Sequence, residues 1–129
     1  MTTGMGVRLE LFVADMDASI AFYRRVLGFE LVREESDYAS LRSGSVTFGL
    51  GPIAKLPTQG GYFTRPRLAG DRGAGVEIVL EVDDVAAYRR RVETSGYPVL
   101  HELQARPWGL TDFRLADPDG YYLRLTSRG

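Results

Sequence analysis

Five charged residues sit where chemistry could be done in this sequence: Arg8 and Glu10 in VRLELFV, Glu77 and Glu81 in VEIVLEV, and Arg124 in YYLRL. Each is flanked by apolar neighbours, the alternation that puts charge on one face of a strand and apolar side chains on the other. A guanidinium beside a carboxylate can bind a polar ligand group through charge-assisted hydrogen bonds. A carboxylate whose pKa is raised by burial, near a donor that stabilises developing charge, can act as an acid–base catalyst instead. Composition excludes much else. Cysteine is absent, which rules out disulfides, thiolate nucleophiles and cysteine-rich metal sites. With His101 the single histidine, an imidazole-rich metal cluster cannot be built within one chain. No glycine spacing matches a dinucleotide- or phosphate-binding loop, and no serine arrangement suggests a nucleophile.

The formal net charge of −1 gives no general attraction to nucleic acid or to an anionic membrane, so neither is expected as a partner. Arg24, Arg25, Arg89, Arg90 and Arg91 form two short runs, read most simply as solvated helix faces. No apolar run approaches the length of a bilayer span, and the opening MTTGMG lacks the basic and hydrophobic regions of a signal peptide. A cytoplasmic location is expected.

The elements that must position these charges come in two similar sets. Val13 and Asp15 recur as Val82 and Asp84, and Gly28-Phe29 recurs as Gly96-Tyr97 with one residue lost in between. Residues 1–6 are small and expected to fray. Val7, Leu9, Leu11 and Val13 form the apolar face of a first strand, with Arg8, Glu10 and Phe12 on the other face. Asp15 or Asp17 can cap the helix that follows, Met16, Ile20, Tyr23 and Leu27 give it one apolar stripe, and Gly28 suits its end. A strand over 29–33 and a hairpin of 37–42 with 45–50 complete the first set.

In the second set Ile78, Leu80 and Val82 face away from Glu77, Val79 and Glu81, and Val85, Tyr88 and Val92 form the helix stripe. Pro98 allows the next strand an extended start, and His101 follows that strand in a surface or capping role. Strands are predicted over 108–115 and 121–126, joined by Asp117-Pro118-Asp119-Gly120, whose proline and glycine fit a type I turn. The fold class is therefore α+β. Two tandem βαβββ modules, 1–58 and 76–129 with a linker over 59–75, are expected to form a curled mixed sheet around a cup, with helices outside. Charges on the cup face imply a lining that is polar and partly wet.

VADMDASIAFYRRVLGF, EVDDVAAYRRRVETSGY and PWGLTDFRLADPDGYYLRL together resemble the glyoxalase, bleomycin-resistance and extradiol-dioxygenase superfamily, the vicinal oxygen chelate proteins. The resemblance covers almost the whole chain and speaks for the fold more than for any activity. In metal-dependent members the three ligand positions correspond to Arg8, Glu77 and Arg124 here. Glutamate can ligate a metal; two arginines cannot, being cationic donors without an available lone pair. No metal and no cofactor are therefore expected, and a glyoxalase, a fosfomycin thiol transferase or an extradiol dioxygenase is disfavoured. The expectation is that Arg8 and Arg124 flank Glu77 in an ion-pair network where the metal would be.

The chain is more similar to the metal-free bleomycin-resistance type. That resemblance implies a homodimer that binds a bulky aromatic or polyketide-like natural product in a groove between subunits, conferring antibiotic resistance or self-protection. It also places Trp108, in Arg106-Pro107-Trp108-Gly109, beside the ligand; the alternative is a core tryptophan. Tyr38, Phe48, Tyr62 and Phe63 are candidate neighbours or plain packing residues, and Phe12 shares the cup face with Arg8 and Glu10. The ligand-binding set is thus Arg8, Glu10, Phe12, Tyr38, Phe48, Tyr62, Phe63, Glu77, Trp108 and Arg124. The alternative function is a metal-independent isomerase, cyclase or hydrolase using Glu10, Glu77 or Glu81 in acid–base catalysis.

Overall fold

The computed structural model describes residues 4–128, so the first residues of the segment expected to fray lie outside it. The first half runs β1 (Leu9–Val13), α1 (Met16–Ala21), β2 (Glu30–Glu35), β3 (Tyr38–Ser43) and β4 (Val46–Pro52). The second runs β5 (Glu77–Val82), α2 (Val85–Ser95), β6 (His101–Ala105), β7 (Thr111–Ala116) and β8 (Tyr122–Ser127). Asp15 and Asp84 cap the two helices, accepting from the amides of Ala18 and Ala87 at 3.1 and 3.0 Å. Gly96 ends α2 with a φ of +79°, the left-handed conformation that a side chain would disfavour.

The strands form two separate four-stranded sheets, ordered β1-β4-β3-β2 and β5-β8-β7-β6. This corrects the expectation of one curled mixed sheet around a cup. Parallel pairing of β1 with β4 and of β5 with β8 leaves β1 and β5 at sheet edges, and among the described residues no backbone ladder joins the halves. Each sheet stays open on the face away from its helix. α1 packs on β4, while α2 packs on β7 and β8.

The first helix also departs from a plain amphipathic stripe. After Ala21 it widens into a π-helical turn, Phe22–Val26, closed by the Leu27 amide donating to the Phe22 carbonyl at 3.3 Å. The widening buries Phe22 and Tyr23 side by side, together with Val26 and Leu27. Tyr23 meets Phe29 and Phe48 edge-on, and Phe29 stacks on Phe48 at 5.3 Å. Phe22 touches Tyr97 of the second half at 4.7 Å, so the buried residues of both halves make one cluster.

Polar contacts join the halves as well. The Tyr23 hydroxyl donates to Asp117 at 2.7 Å, and the Tyr121 hydroxyl donates to the Phe12 carbonyl at 2.9 Å. Asp119 accepts from the Ala14 amide at 2.8 Å, from Ser19 and from Arg72 of the connecting segment. Burial pushes the Asp117 carboxyl above its ordinary range, although Tyr23 and the amides of Tyr121 and Asp119 oppose the shift. Removing the hydroxyl in Tyr23→Phe leaves a buried acceptor short of its partner. Urea unfolding is expected to show a loss of about 1.5–3 kcal/mol, the range for a buried hydrogen bond to a charged group.

Candidate functional site

Strand alternation decides what each open face carries. On the first sheet Arg8, Glu10 and Phe12 project opposite buried Leu11 and Val13. Glu10 accepts from the Tyr38 hydroxyl at 3.1 Å and pairs with Arg8 at 3.4 Å. Both side chains lie across Gly49 of β4, where an added Cβ would collide with the Glu10 carboxylate and the Tyr38 hydroxyl. Burial, with the hydrogen bond to Glu10 second, raises the Tyr38 phenol above its ordinary pKa.

Beside this pair is a cleft of about 300 Å³ lined by Glu10, Phe12, Tyr38, Pro52, Lys55 and Leu56. That is the lower end of the size range for small-molecule sites. Phe63, from the connecting segment, lies on Phe12 with ring centroids 4.5 Å apart. Tyr62 meets Phe63 edge-on at 5.1 Å, and the Arg67 guanidinium sits 4.5 Å over the Tyr62 ring. Two larger openings, of about 570 and 510 Å³, are lined mainly by the glycine-rich segment before β5 and by the β3–β4 turn with the end of β5. The second of these also holds two aromatics, Phe29 and Tyr88, and what sets the smaller cleft apart is the Glu10–Tyr38 pair beside Phe12.

The second open face is basic. Arg124 pairs with Glu77 at 3.2 Å, whereas Arg8 makes its ion pair with Glu10 on the first sheet. The expected single network of Arg8, Glu77 and Arg124 is therefore split, because Glu10 lies two residues from Arg8 on the same strand face. The centre of the second face is Asp112, a residue the sequence reading missed. Its carboxylate is fully buried and accepts from Arg106 at 3.0 Å and Arg114 at 3.3 Å, with Arg124 at 4.0 Å. The alternation of Asp112 and Arg114 with buried Phe113 and Leu115 in TDFRLA was the available signal.

Two aromatics stand apart from the expected set. Phe48 is 1% exposed in the aromatic core, since it shares a face with Leu50 and pairs with Leu41, so it cannot line the open face. Trp108 is neither core nor strand: the Arg106 amide donates to the Leu110 carbonyl at 2.7 Å and closes a tight loop. That loop leaves the indole 57% exposed at the β6–β7 tip. His101 begins β6 and is exposed, paired across the ladder with Arg114. Of the helical arginines, Arg89 is more than a solvated surface group, gripping Glu102 of β6 through two hydrogen bonds of 2.8 Å.

A family model for the Glyoxalase/Bleomycin resistance protein/Dioxygenase superfamily matches residues 7–125. The chain belongs to that superfamily. It is 30% identical to a bleomycin resistance protein of Klebsiella pneumoniae over 118 residues, covering 86% of this chain and 82% of that one. It is 29% identical to a probable lactoylglutathione lyase of Vibrio parahaemolyticus over 131 residues, covering 97% and 91%. A solved bleomycin-binding protein complexed with bleomycin superposes with a TM-score of 0.67 at 26% identity, covering 98% of this chain and 100% of the other.

Within the superfamily this chain is closely related to bleomycin-resistance-like members. At the positions that the resemblance assigns to metal ligands, Arg8 and Arg124 offer only cationic donors, and each pairs with a carboxylate. Among the described residues no group of three or more His, Cys, Asp or Glu could hold a metal ion. Nor is any described helix long and apolar enough to cross a membrane.

Asp112 sets a clear stability test. Burial pushes its carboxyl up, but hydrogen bonds from Arg106 and Arg114 and the charges of both outweigh burial and hold it below the ordinary range. Stability from a depressed carboxyl is present above its unfolded pKa of about 4 and lost as pH falls through the lower folded value. Asp112→Asn is therefore expected to cost about 3 kcal/mol at neutral pH, the scale for breaking one side of a buried ion pair. The deficit should shrink in acid, as read by urea unfolding across pH.

Proposed function

We propose that this protein binds a bulky aromatic or polyketide-like small molecule without a metal, and sequesters it unchanged. Antibiotic resistance or self-protection is the corresponding role, and a cytoplasmic location fits it. The observation that carries the proposal is the cleft lined by Phe12, Tyr38 and Glu10, which sets an aromatic ring, with Phe63 stacked on it, beside a hydroxyl and a carboxylate. Stacking faces with a few polar groups are what a planar, oxygenated ligand needs. The bleomycin resistance protein of Klebsiella pneumoniae and the solved complex with bleomycin support a binder in name and in fold.

The same reading extends to a homodimer. Phe63 covers Phe12 on the first open face, while Tyr62 and Trp108 project from the chain exposed. A second copy laid across the open sheet faces would enclose a ligand that one shallow cleft cannot. Catalytic conversion by Glu10 or Glu77 draws less support, because the two carboxylates are 43% and 39% exposed and already paired with arginine. The modules, 1–58 and 76–129, then supply one open face each, and the segment 59–75 supplies Tyr62 and Phe63.

Incubation with a natural-product extract, followed by mass spectrometry of bound and free compounds, tests the proposal. An aromatic compound should be retained at micromolar or tighter affinity and recovered at its original mass. Phe12→Ala should weaken it about tenfold, the loss of one stacking partner and its burial. Recovery at a new mass would replace sequestration with catalysis.

A further inference from the structure

The second open face holds more positive charge than its own carboxylates use. Arg106, Arg114 and Arg124 converge on Asp112, with Glu77 as the other carboxylate in contact. Arg114 and Arg124 stand directly opposite each other on β7 and β8, an arrangement of like charges that ordinarily costs stability. One bidentate arginine would be enough to pair the single buried carboxylate. Arg124 divides itself between Glu77 at 3.2 Å and Asp112 at 4.0 Å, so no carboxylate holds it in a bidentate pair. The Arg114 and Arg124 side chains are 20% and 22% exposed, so an acceptor can approach from the open face.

From this we infer that the second open face is an anion subsite, in which Arg114 and Arg124 take a carboxylate or sulfonate carried by the ligand, aligned from beneath by Asp112. The inference rests on the binding function proposed above and narrows the ligand to an anionic aromatic compound. A planar oxyanion accepts two parallel N–H donors from a guanidinium and offsets the repulsion across the ladder.

Calorimetry of the full chain with 2-naphthoate, 2-naphthalenesulfonate, 2-naphthamide and 2-naphthylmethylammonium tests it. Both anions should bind about tenfold more tightly than the amide, and the ammonium least. Arg124→Met and Arg114→Met should each bring the anions down to the affinity that the amide shows with the same variant. Arg124→Lys, which keeps the charge and loses the fork, should fall between and guards against a misfolded methionine variant. Equal affinity for all four compounds, or anion preference retained in these variants, overturns the subsite and leaves aromatic binding standing. A sulfate titration followed by the NMR signal of the Arg124 Nε–H separates the two readings in the other direction. A shift with sulfate that Arg114→Met abolishes, in a protein that takes no aromatic probe, keeps the subsite and removes the aromatic function. No response to sulfate and no probe bound overturns both.

Discussion

The two carboxylates of the Asp117-Pro118-Asp119-Gly120 turn hold this molecule in its shape. Asp119 is a hub, accepting from the backbone at the end of β1, from Ser19 of α1 and from Arg72 of the connecting segment. Asp117 is buried without a cation and depends on the Tyr23 hydroxyl and two amides of its own turn. The second half thus grips the first by side-chain oxygens rather than by a backbone ladder. Such a grip is directional, and it fixes the angle between two sheets that share no strand pairing. Because it acts on the helix side with the shared aromatic core, it leaves both opposite faces unpaired.

The two open faces have different chemistry, and the difference is local. On the first, the small residues of β4 decide the outcome: Gly49 lets Glu10 and Tyr38 lie flat across the strand, and the cleft with Phe12 opens beside them. On the second, β7 and β8 place arginines opposite each other, and buried Asp112 keeps them together. An uncompensated aspartate at that depth would be untenable. The arginines are equally crowded, which is why the face has a charge to offer.

Much of the local structure was legible in the sequence because it depends on short spacings. Asp15 and Asp84 cap helices through amides three residues on, and the glycine of the DPDG turn closes it through the Asp117 carbonyl at 2.9 Å. Alternation put Glu10 and Phe12 on the face opposite Leu11, and the same rule applied to VTFGLGP would have buried Phe48 with Leu50. Trp108 sits between a proline and a glycine, a turn signal that outweighs its β propensity. What periodicity could not supply was the long-range geometry. Whether β1 and β5 join into one curled sheet depends on contacts between halves, and which carboxylate Arg8 chooses depends on where those halves come to rest. Widening of the first helix into a π turn likewise answers to packing between Phe22 and Tyr97, far apart in the chain.

The arginines at the positions used for metal elsewhere in the superfamily change what such a site can do. A divalent cation draws in ligand oxygens from several directions and activates them as a Lewis acid. A guanidinium is a planar donor that orients an oxyanion in its own plane and leaves its bonds intact. Arg124 has that role available to it only because Asp112 and Glu77 hold the side chain without consuming all of its donors. Arg8, by contrast, has been taken up by Glu10, which also accepts from Tyr38. The two arginines therefore stand in unequal settings: Arg8 is part of the scaffold that edges the cleft beside Phe12, while Arg124 is shared between two carboxylates on the other face. That asymmetry between the halves is what the proposal of a ligand held by an aromatic body and an anionic end builds on.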